Sequence, residues 1–229
     1  ISLFDRSGHR QVQPTPAAVR LYSTAEQLRR TWEQGVEQLK QSVKQPKIKV
    51  TLGFSQTTSV ELLPRVMQSL LADARFQFKI QTMNSESILQ AVVDRRVAYG
   101  IIEKPIVADY ILQTELPGDQ LVLAGHPNEK LWLLREPGSG VRHYTEAYLH
   151  EQGIVPQQTL VVDSNQSIIG LLTHGIGKTL MSEGILPKKV IRQSIGEQYH
   201  RHFYLIGLDQ QPNAQLASLR VVLSRVMKQ

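Results

Sequence analysis

One short segment in the middle of the chain combines an apolar run, a glycine-containing loop and two arginines. It reads WLLREPGSGVR and extends from Trp132 to Arg142. The apolar run predicts a strand, and the Pro-Gly-Ser-Gly stretch predicts a tight loop that leads into a helix. Backbone N–H groups at the start of a helix attract anions. Ser139 adds a hydroxyl there, and Arg142 adds a positive charge that can pair with a carboxylate. The segment therefore predicts a binding loop for an anionic or polar group.

Two other predicted loops carry polar side chains at the same kind of position. Residues 55–59, Ser-Gln-Thr-Thr-Ser, follow one predicted strand, and Asp163-Ser164-Asn165 follow another. Helix capping alone would use one hydroxyl per helix and leave no ligand, and for any single loop this alternative stays open. Ligands in open α/β sheets bind at the carboxyl ends of strands. Three such loops together therefore favour a small polar or anionic ligand.

The patterns typical of catalytic and metal sites are incomplete in this sequence. The stretch Gly175–Thr179 resembles the end of a phosphate-binding P-loop, but Leu172 stands where the motif needs its first glycine. Pro137 likewise stands where a nucleophile elbow around Ser139 would need a glycine. The histidines lack metal-ligand spacing. We therefore predict no catalytic residue, no metal, no cofactor and no enzymatic activity.

Alternating strands and helices must position these loops, and they predict an α/β fold. One series of strand, helix, strand, helix and strand starts at residue 48 and a similar series starts near residue 131, so we expect two similar lobes with a cleft between them. We predict a helix from about residue 60 to 72, capped by Thr57-Thr58-Ser59, and a second helix capped by Ser85. The segments YILQTEL and QLVLAGH are predicted as two separate strands.

The first fifty residues have a different character. Residues 1–15 predict a small hairpin with a basic tip, and Thr15-Pro16 predicts the start of a helix that continues to about residue 45. Apolar residues repeat along this helix at steps of three and four, which predicts one narrow apolar stripe that needs a partner. That partner is a second copy of the helix or the helix's own domain. The stripe consists of Leu21, Ala25, Leu28, Trp32, Val36, Leu39 and Val43.

Composition restricts the classes of protein that remain. The 229 residues are 41% hydrophobic and carry a net charge of +6. No apolar run approaches the length of a membrane helix, and no export signal is recognisable, so we expect a cytoplasmic protein without a membrane partner. Cysteine is absent, which excludes disulfides and thiolate metal sites. The basic excess permits binding to nucleic acid, but a solvated basic face explains it equally well.

Four segments, in order along the chain, resemble those of LysR-type transcriptional regulators. LFDRSGHRQVQPTPAAVRLYSTAEQL is similar to the end of that family's winged helix-turn-helix and the start of its linker helix, with Ala18 where the family usually has glycine. Glu61-Leu62-Leu63-Pro64 is similar to the first helix of the effector domain. LLREPGSGVR is similar to the cleft motif, with Val141 for the usual threonine, and GIGKTLMSEGILPKKV resembles the following glycine-rich strand more loosely. The resemblance covers essentially the whole chain.

This resemblance implies a two-lobed, periplasmic-binding-protein-like effector domain preceded by a long linker helix and a remnant of the winged helix-turn-helix. The implied divisions are residues 1–15 for the wing, 16–45 for the linker helix, 46–124 with 207–229 for the first lobe, and 125–206 for the second lobe. It also implies DNA as a partner of the full-length protein, a small-molecule effector, and self-association into a dimer or tetramer. The family's recognition helix would precede Ile1, so we expect the chain as given to dimerise and bind ligand without reading an operator.

Site residues can be carried over by position. Arg6, His9 and Arg10 of the wing are candidate DNA contacts. The candidate ligand contacts come from the strand ends and helix starts that face the cleft, and Arg142 joins them on the strength of its charge. They are Ser55, Thr57, Thr58, Gly100, Glu103, Ser139, Val141, Arg142, Asn165 and Met181.

The predicted function is a DNA-binding transcriptional regulator controlled by a small, anionic or polar metabolite in the interlobe cleft. The alternative is a solute-binding protein for small-molecule uptake with the same two-lobe fold. An uptake protein would need neither the long striped helix nor the basic first fifty residues. A second alternative, an enzyme on this fold, is disfavoured because no base and nucleophile are paired at the strand ends.

Overall fold

The computed structural model describes residues 1–5, 12–42, 47–211 and 213–228; the side chains of residues 5 and 37–42 lie outside that description. The chain forms two compact units, Ile1–Lys47 and Ile48–Gln229. Within the described ranges, the helices lack the combination of length and hydropathy that a membrane span requires.

The first unit contains a two-stranded hairpin and a long helix, as the sequence predicts. Strand β1 (Phe4–Asp5) pairs antiparallel with β2 (Gln13–Pro14). Thr15 then caps helix α1 (Pro16–Ser42), because its Oγ1 accepts the N–H of Ala18 at 3.3 Å. The predicted hairpin tip, with Arg6, His9 and Arg10, lies outside the described residues.

One face of α1 carries large apolar side chains that are exposed. Trp32 is 74% exposed, and Leu21 and Leu28 are also exposed. A groove on this face is lined by Leu28, Thr31, Trp32, Gly35 and Val36. The predicted stripe is therefore present as far as Val36, while Leu39 and Val43 lie outside the residues whose side chains are described.

The first lobe of the second unit is an α/β layer built mainly on parallel strands. Its elements are β3 (Ile48–Phe54), α2 (Gln56–Glu61), α3 (Leu63–Leu70), β4 (Phe76–Thr82), α4 (Ser85–Val93), β5 (Tyr99–Ile102), β11 (His200–Leu208) and α7 (Ala214–Met227). Strand β3 pairs in parallel with both β4 and β5, and β11 closes the lobe by pairing antiparallel with β5.

The second lobe repeats the same arrangement of parallel strands and helices. Strand β7 pairs in parallel with β8 and β9, while β6 pairs antiparallel with β9 and β10. Two short 3-10 helices, Glu183–Ile185 and Glu197–Tyr199, follow β9 and β10. The elements are β6 (Ile111–Gly125), β7 (Leu131–Arg135), α5 (Gly140–Glu151), β8 (Gln158–Val162), α6 (Asn165–Thr173), β9 (Lys178–Ser182) and β10 (Arg192–Ser194).

Strand β6 connects the lobes, and here the prediction of two separate strands was wrong. Its first part pairs with β11, and its last part, from Leu121, pairs with β9. The Pro117-Gly118 pair does not end the strand but forms a bulge within β6. Arg201 pairs with Asp119 and Phe203 pairs with Leu116, which leaves both residues opposite the single residue His202 of β11. A β-carbon on Gly118 would overlap the carbonyl oxygen of Arg201, so only glycine permits this close approach.

The strand pairing shows where β11 joins the sheet of the first lobe. The sequence assigned residues 125–206 to the second lobe and the return to the first lobe to residue 207. However, Tyr204 to Gly207 all pair with β5 of the first lobe. The return therefore occurs earlier, within β11, because its neighbour β5 fixes which sheet it joins.

Two helices start earlier than predicted, one by about four residues and the other by one residue. Helix α2 begins at Gln56 and is capped by Ser55, so Thr57 and Thr58 are already helical. The predicted single helix is divided at Leu62, just before Pro64, whose ring cannot continue the ladder of hydrogen bonds. Helix α4 is capped by Asn84 rather than by Ser85, which becomes the first helical residue.

Separate apolar clusters stabilise the two lobes. The first-lobe cluster packs α3 and α7 on one face of the sheet and includes Val50, Leu52, Phe54, Leu219 and Leu223. The second-lobe clusters lie on either side of β9, because Leu180 and Met181 alternate between its faces. The loops at the carboxyl ends of β3, β5, β7 and β8 are thus held by rigid sheets.

Candidate functional site

Helix α2 begins at the carboxyl end of β3 and presents one hydroxyl to the second lobe. The Ser55 hydroxyl accepts the N–H of Thr58 at 3.3 Å, and the Thr58 hydroxyl donates to the carbonyl of Ile101 at 3.1 Å. Both hydroxyls are therefore used within the first lobe. The Thr57 hydroxyl instead accepts a hydrogen bond from the side-chain amide of Asn165, across the cleft, at 3.3 Å. Of these predicted contacts, Thr57 is the one that faces the other lobe.

Glu103 follows β5 and lies at the base of the cleft. One of its carboxylate oxygens accepts the N–H of Thr57 at 3.1 Å, and the other accepts a hydrogen bond from Arg201 at 2.9 Å. Arg201 also donates to both carboxylate oxygens of Asp119, at 2.6 and 2.9 Å. The sequence identified Glu103 but missed Arg201 and Asp119, because residues from β6 and β11 meet only in the folded sheet.

The Arg201 guanidinium is completely buried and remains charged. Burial opposes the charge, but the attraction of Glu103 and Asp119 outweighs it and raises the pKa of Arg201 above its ordinary value. The aromatic rings of Tyr144 and Phe203 lie 5.6 and 5.7 Å from the guanidinium carbon. A positive charge is thus fixed where both lobes meet β6 and β11.

Arg135, not Arg142, is the buried arginine of the second-lobe wall. Arg135 ends β7 and is 2% exposed; its guanidinium pairs with Glu136 and donates to the side-chain oxygen of Asn165. The sequence assigned ligand binding to Arg142, but Arg142 pairs with Glu146 at 2.7 Å and donates to the carbonyl of Arg135 at 2.9 Å. Helical spacing of four residues explains that pair. The sequence feature that could have identified Arg135 is its position as a charged residue at the end of an apolar strand.

The first turn of α5 lies against the first lobe. Ser139 caps this helix and is buried, yet its side chain makes no capping hydrogen bond. A β-carbon on the next residue, Gly140, would lie 2.6 Å from the β-carbon and 3.1 Å from a carboxylate oxygen of Glu103. It would also lie 3.3 Å from the hydroxyl of Ser85, a residue that the sequence analysis treated only as a cap. Val141 is buried behind this turn.

Further hydrogen bonds join the two lobes at both rims. At one rim, Gln56 donates to the carbonyl of Asp163 at 2.8 Å and accepts the N–H of Asn165 at 2.6 Å. At the opposite rim, the N–H of Glu86 donates to the carbonyl of Gly138 at 3.2 Å. A pocket of about 290 Å³ beside Gln56 and Asn165 opens at the first rim. The lobes are therefore closed on each other in this structure.

Two predicted contacts lie away from the cleft. Met181 is buried in the apolar cluster of the second lobe, and it is the next residue, Ser182, that reaches Glu61 of the first lobe at 3.4 Å. Gly100 lies inside β5, where a β-carbon would overlap the side chain of Ile88. Side chains alternate along a strand, so both positions face the core. Packing against Ile88 requires glycine at position 100, and a contact between Gly100 and a ligand stays a prediction.

In the part of the chain that the structure describes, histidine and carboxylate side chains form no group of three or more that could hold a metal ion. The ionisable groups at the cleft are instead paired, Arg201 with two carboxylates and Arg135 with Glu136. This arrangement suits hydrogen bonding to a polar molecule.

Comparison with known proteins places the chain in a family. Residues 44–227 match the family described as LysR substrate binding domain. An uncharacterised HTH-type transcriptional regulator of Staphylococcus xylosus is 34% identical over 130 residues, which are 54% of this chain and 47% of that protein. The match thus spans about half the length of this relative.

Two solved structures are similar in fold. Full-length BenM matches with a TM-score of 0.65 and 20% identity, over 99% of this chain and 82% of that one. The effector-binding domain of QuiR in complex with shikimate matches with a TM-score of 0.69 and 18% identity, over 80% of this chain and 98% of that one. The two-lobed fold is therefore that of LysR effector-binding domains. The chain belongs to the LysR-type transcriptional regulators, and residues 44–227 form its substrate-binding domain.

Proposed function

We propose that this chain is the regulatory part of a DNA-binding transcriptional regulator, in which a small polar or anionic metabolite binds between the two lobes and controls transcription. One observation carries the proposal: the strand ends of both lobes bring Thr57, Glu103, Ser139 and Asn165 together at one cleft. Family membership supports it, and so does the shikimate bound by the QuiR domain. The relative from Staphylococcus xylosus is described as a transcriptional regulator, which favours this function over solute uptake.

The set of proposed ligand contacts contains fewer residues than the set predicted from the sequence. Thr57 and Asn165 form one pair across the cleft, and Glu103 and Ser139 line its base and second wall. Ser55 and Thr58 stay in the set as the groups that position Thr57. Because the charged groups of the cleft are already paired, we infer binding rather than catalysis.

Control by the ligand requires that it prefer one arrangement of the lobes. The lobes share β6 and are also joined by the Gln56–Asn165 hydrogen bond. A ligand that replaces such contacts shifts the balance between open and closed lobes by its difference in affinity for the two states. We propose that this shift is what the rest of the protein detects.

Self-association is the second part of the proposal. The exposed apolar face of α1 fits a second copy of the same helix, because a repeat at steps of three and four is typical of paired helices. DNA contacts by Arg6, His9 and Arg10 remain a prediction for the full-length protein.

A thermal-shift screen tests the ligand proposal. Organic acids, amino acids and inorganic anions are added singly to the purified chain, and we expect at least one to raise the melting temperature. Asn165→Ala should abolish that rise, because it removes the side chain shared by Thr57 and Arg135. Asn128→Ala, at an exposed asparagine between β6 and β7, is the control. A rise that persists in Asn165→Ala, or no rise with any compound, would contradict the cleft as the ligand site.

A further inference from the structure

We propose that the cleft selects a zwitterion of the amino-acid type, with its carboxylate at the start of α5 beside Ser85 and its ammonium group at Glu103. This inference rests on the proposed function, since it names the chemical class of ligand for the same cleft. Three features of the described residues support it: an open helix start, a buried hydroxyl without a partner and an excess of negative charge.

The start of α5 offers hydrogen-bond donors. The helix is 12 residues long, and its cap residue Ser139 makes no side-chain hydrogen bond to it. Among the hydrogen bonds of the described residues, none uses the N–H groups of Gly140, Val141 or Arg142. These N–H groups and the helix dipole favour a negatively charged group.

Ser85 is an independent sign of a ligand at the same place. Its hydroxyl is fully buried and has no hydrogen-bond partner among the described residues. Leaving such a group unpaired costs about 1–3 kcal/mol, and native proteins rarely tolerate it without a reason. The hydroxyl lies 3.3 Å from the position of a β-carbon on Gly140, directly beside the open start of α5. A carboxylate there would accept hydrogen bonds from both.

Glu103 makes this place unsuitable for a simple anion. One of its carboxylate oxygens lies 3.1 Å from the same β-carbon position on Gly140. Glu103 and Asp119 together carry two negative charges, and Arg201 supplies one positive charge, so the group has an excess of negative charge. A bound carboxylate would therefore be repelled by Glu103 unless the ligand also brought a positive charge. An ammonium group next to the carboxylate meets both demands.

The ligand would enter while the lobes are further apart. In this structure Gly140 packs directly against Glu103, so the two walls leave no room for a molecule between them. The hydrogen bonds that the zwitterion makes to Ser85, Glu103 and the start of α5 would replace that contact. This replacement couples ligand binding to the separation of the lobes.

Calorimetric titration of the full chain tests the proposal. The probes are the protein amino acids, the 2-oxo acids with the same side chains and the amines that lack the carboxylate. We expect an amino acid to bind at least about tenfold more tightly than its 2-oxo acid and its amine, which corresponds to about one charge-assisted hydrogen bond. A 2-oxo acid or other anion that binds as tightly, and loses affinity in Asn165→Ala, would overturn the zwitterion while the proposed function stands. No binding by any probe, together with no response in the wider thermal-shift screen, would contradict both.

Two variants test which protein groups bind the ammonium and the carboxylate of the ligand. Glu103→Gln removes the charge that pairs with the ammonium, so affinity for the amino acid should fall about tenfold while that for the 2-oxo acid rises or stays. Glu115→Gln, an exposed glutamate on β6, is the control. Ser85→Ala should weaken the binding of both the amino acid and the 2-oxo acid. It should not lower the melting temperature, because the hydroxyl has no hydrogen-bond partner among the described residues. Ser69→Ala, an exposed serine of α3, is its control. Unchanged affinity of the amino acid in both Glu103→Gln and Ser85→Ala would overturn the assignment.

Discussion

Arg201 of β11 and Glu103 at the end of β5 form a buried ion pair of 2.9 Å where the two lobes meet. The same guanidinium is held by Asp119 of β6, and its carbon lies 5.6 Å from the ring centre of Tyr144 in α5. A single side chain therefore contacts the first lobe, the second lobe and the strand that connects them. Arg201 thus links the two lobes through its contacts with Glu103, Asp119 and Tyr144.

Removal of the Arg201 charge should destabilise the domain strongly. Arg201→Met preserves much of the side-chain volume but leaves Glu103 and Asp119 as uncompensated buried carboxylates, so we expect a loss of about 3–5 kcal/mol in the free energy of unfolding. Urea denaturation measures it. Arg75→Met, which breaks an exposed pair with Asp73, should change the free energy of unfolding little, because water screens that pair. An equal loss of unfolding free energy in the two variants would show that the buried ion pair does not stabilise the domain more than an exposed one.

Gly140 should tolerate no side chain while the lobes are closed. In Gly140→Ala the new methyl group would lie 2.6 Å from the β-carbon of Glu103, so we expect the melting temperature to fall, in line with a cost of about 1–3 kcal/mol for overpacking. Gly170→Ala is the matched control in a helix, because nothing lies within 4 Å of its β-carbon position. That variant should gain about 0.5–1 kcal/mol from helix propensity. Stabilisation by both substitutions would refute the closed contact.

Gln56 should hold one rim of the cleft closed. In Gln56→Ala, the N–H of Asn165 loses its acceptor at 2.6 Å and the carbonyl of Asp163 loses its donor at 2.8 Å. Hydrogen–deuterium exchange at the start of α6 should therefore become faster, by about tenfold for a net hydrogen bond of about 1–1.5 kcal/mol. Gln157→Ala, at an exposed glutamine before β8, should leave this exchange unchanged. An unaltered rate in Gln56→Ala would mean that the lobes do not depend on this contact.

Tyr99 should make the domain sensitive to alkali. Burial raises the pKa of Tyr99 to about 12, against a weaker opposing effect of Arg220. The unfolded chain releases this proton near pH 10, so the contribution of Tyr99 is fully present below about pH 10 and is lost as the pH rises towards about 12. Tyr99→Phe removes the 2.8 Å hydrogen bond to the carbonyl of Leu216, so its free energy of unfolding at neutral pH should be about 1 kcal/mol lower than that of the parent chain. Above about pH 10, the free energy of unfolding should fall less steeply with pH in Tyr99→Phe than in the parent chain. Urea denaturation at both pH values decides, and an identical pH dependence in the two proteins would count against the prediction.

Trp32 should be a main contact in self-association through α1. It is 74% exposed and lines the apolar groove together with Leu28 and Val36. Trp32→Ala should weaken dimer formation by at least about tenfold, since a truncated aromatic at the centre of an interface typically costs about 2 kcal/mol or more. Analytical ultracentrifugation measures the dissociation constant. Glu33→Ala, at the adjacent exposed position, should change it little, and equal dissociation constants for Trp32→Ala and the parent chain would exclude this face.

The sequence predicted well those features that depend on local chemistry. Alternating apolar residues identified strands such as β3, and the Thr15-Pro16 pair identified the start of α1. The LLREPGSGVR segment identified the loop and helix that form one wall of the cleft. These features could be predicted because propensity, capping and periodicity act over a few neighbouring residues.

Neighbours in space decided several features that the sequence did not predict. Arg142, a predicted ligand contact, pairs with Glu146 four residues away, and its contact with a ligand stays a prediction. The Pro117-Gly118 pair resembles a strand end in the sequence, but it forms a bulge within β6, because the pairing with β11 continues on both sides of it. Met181 faces the core and Ser182 faces the cleft, a difference of one residue that only the packing of the sheet fixes.

The sequence by itself determined the alternation of strands and helices, the long helix with one apolar stripe and the polar loops at strand ends. Each of these features depends on residues that are close to one another along the chain. Tertiary structure alone decided that Arg201, Glu103 and Asp119 meet, and that Ser85, among the described residues, is left without a partner beside Gly140. These residues come from segments far apart in sequence. Their charges and hydrogen bonds become consequential because the closed lobes exclude water from around them.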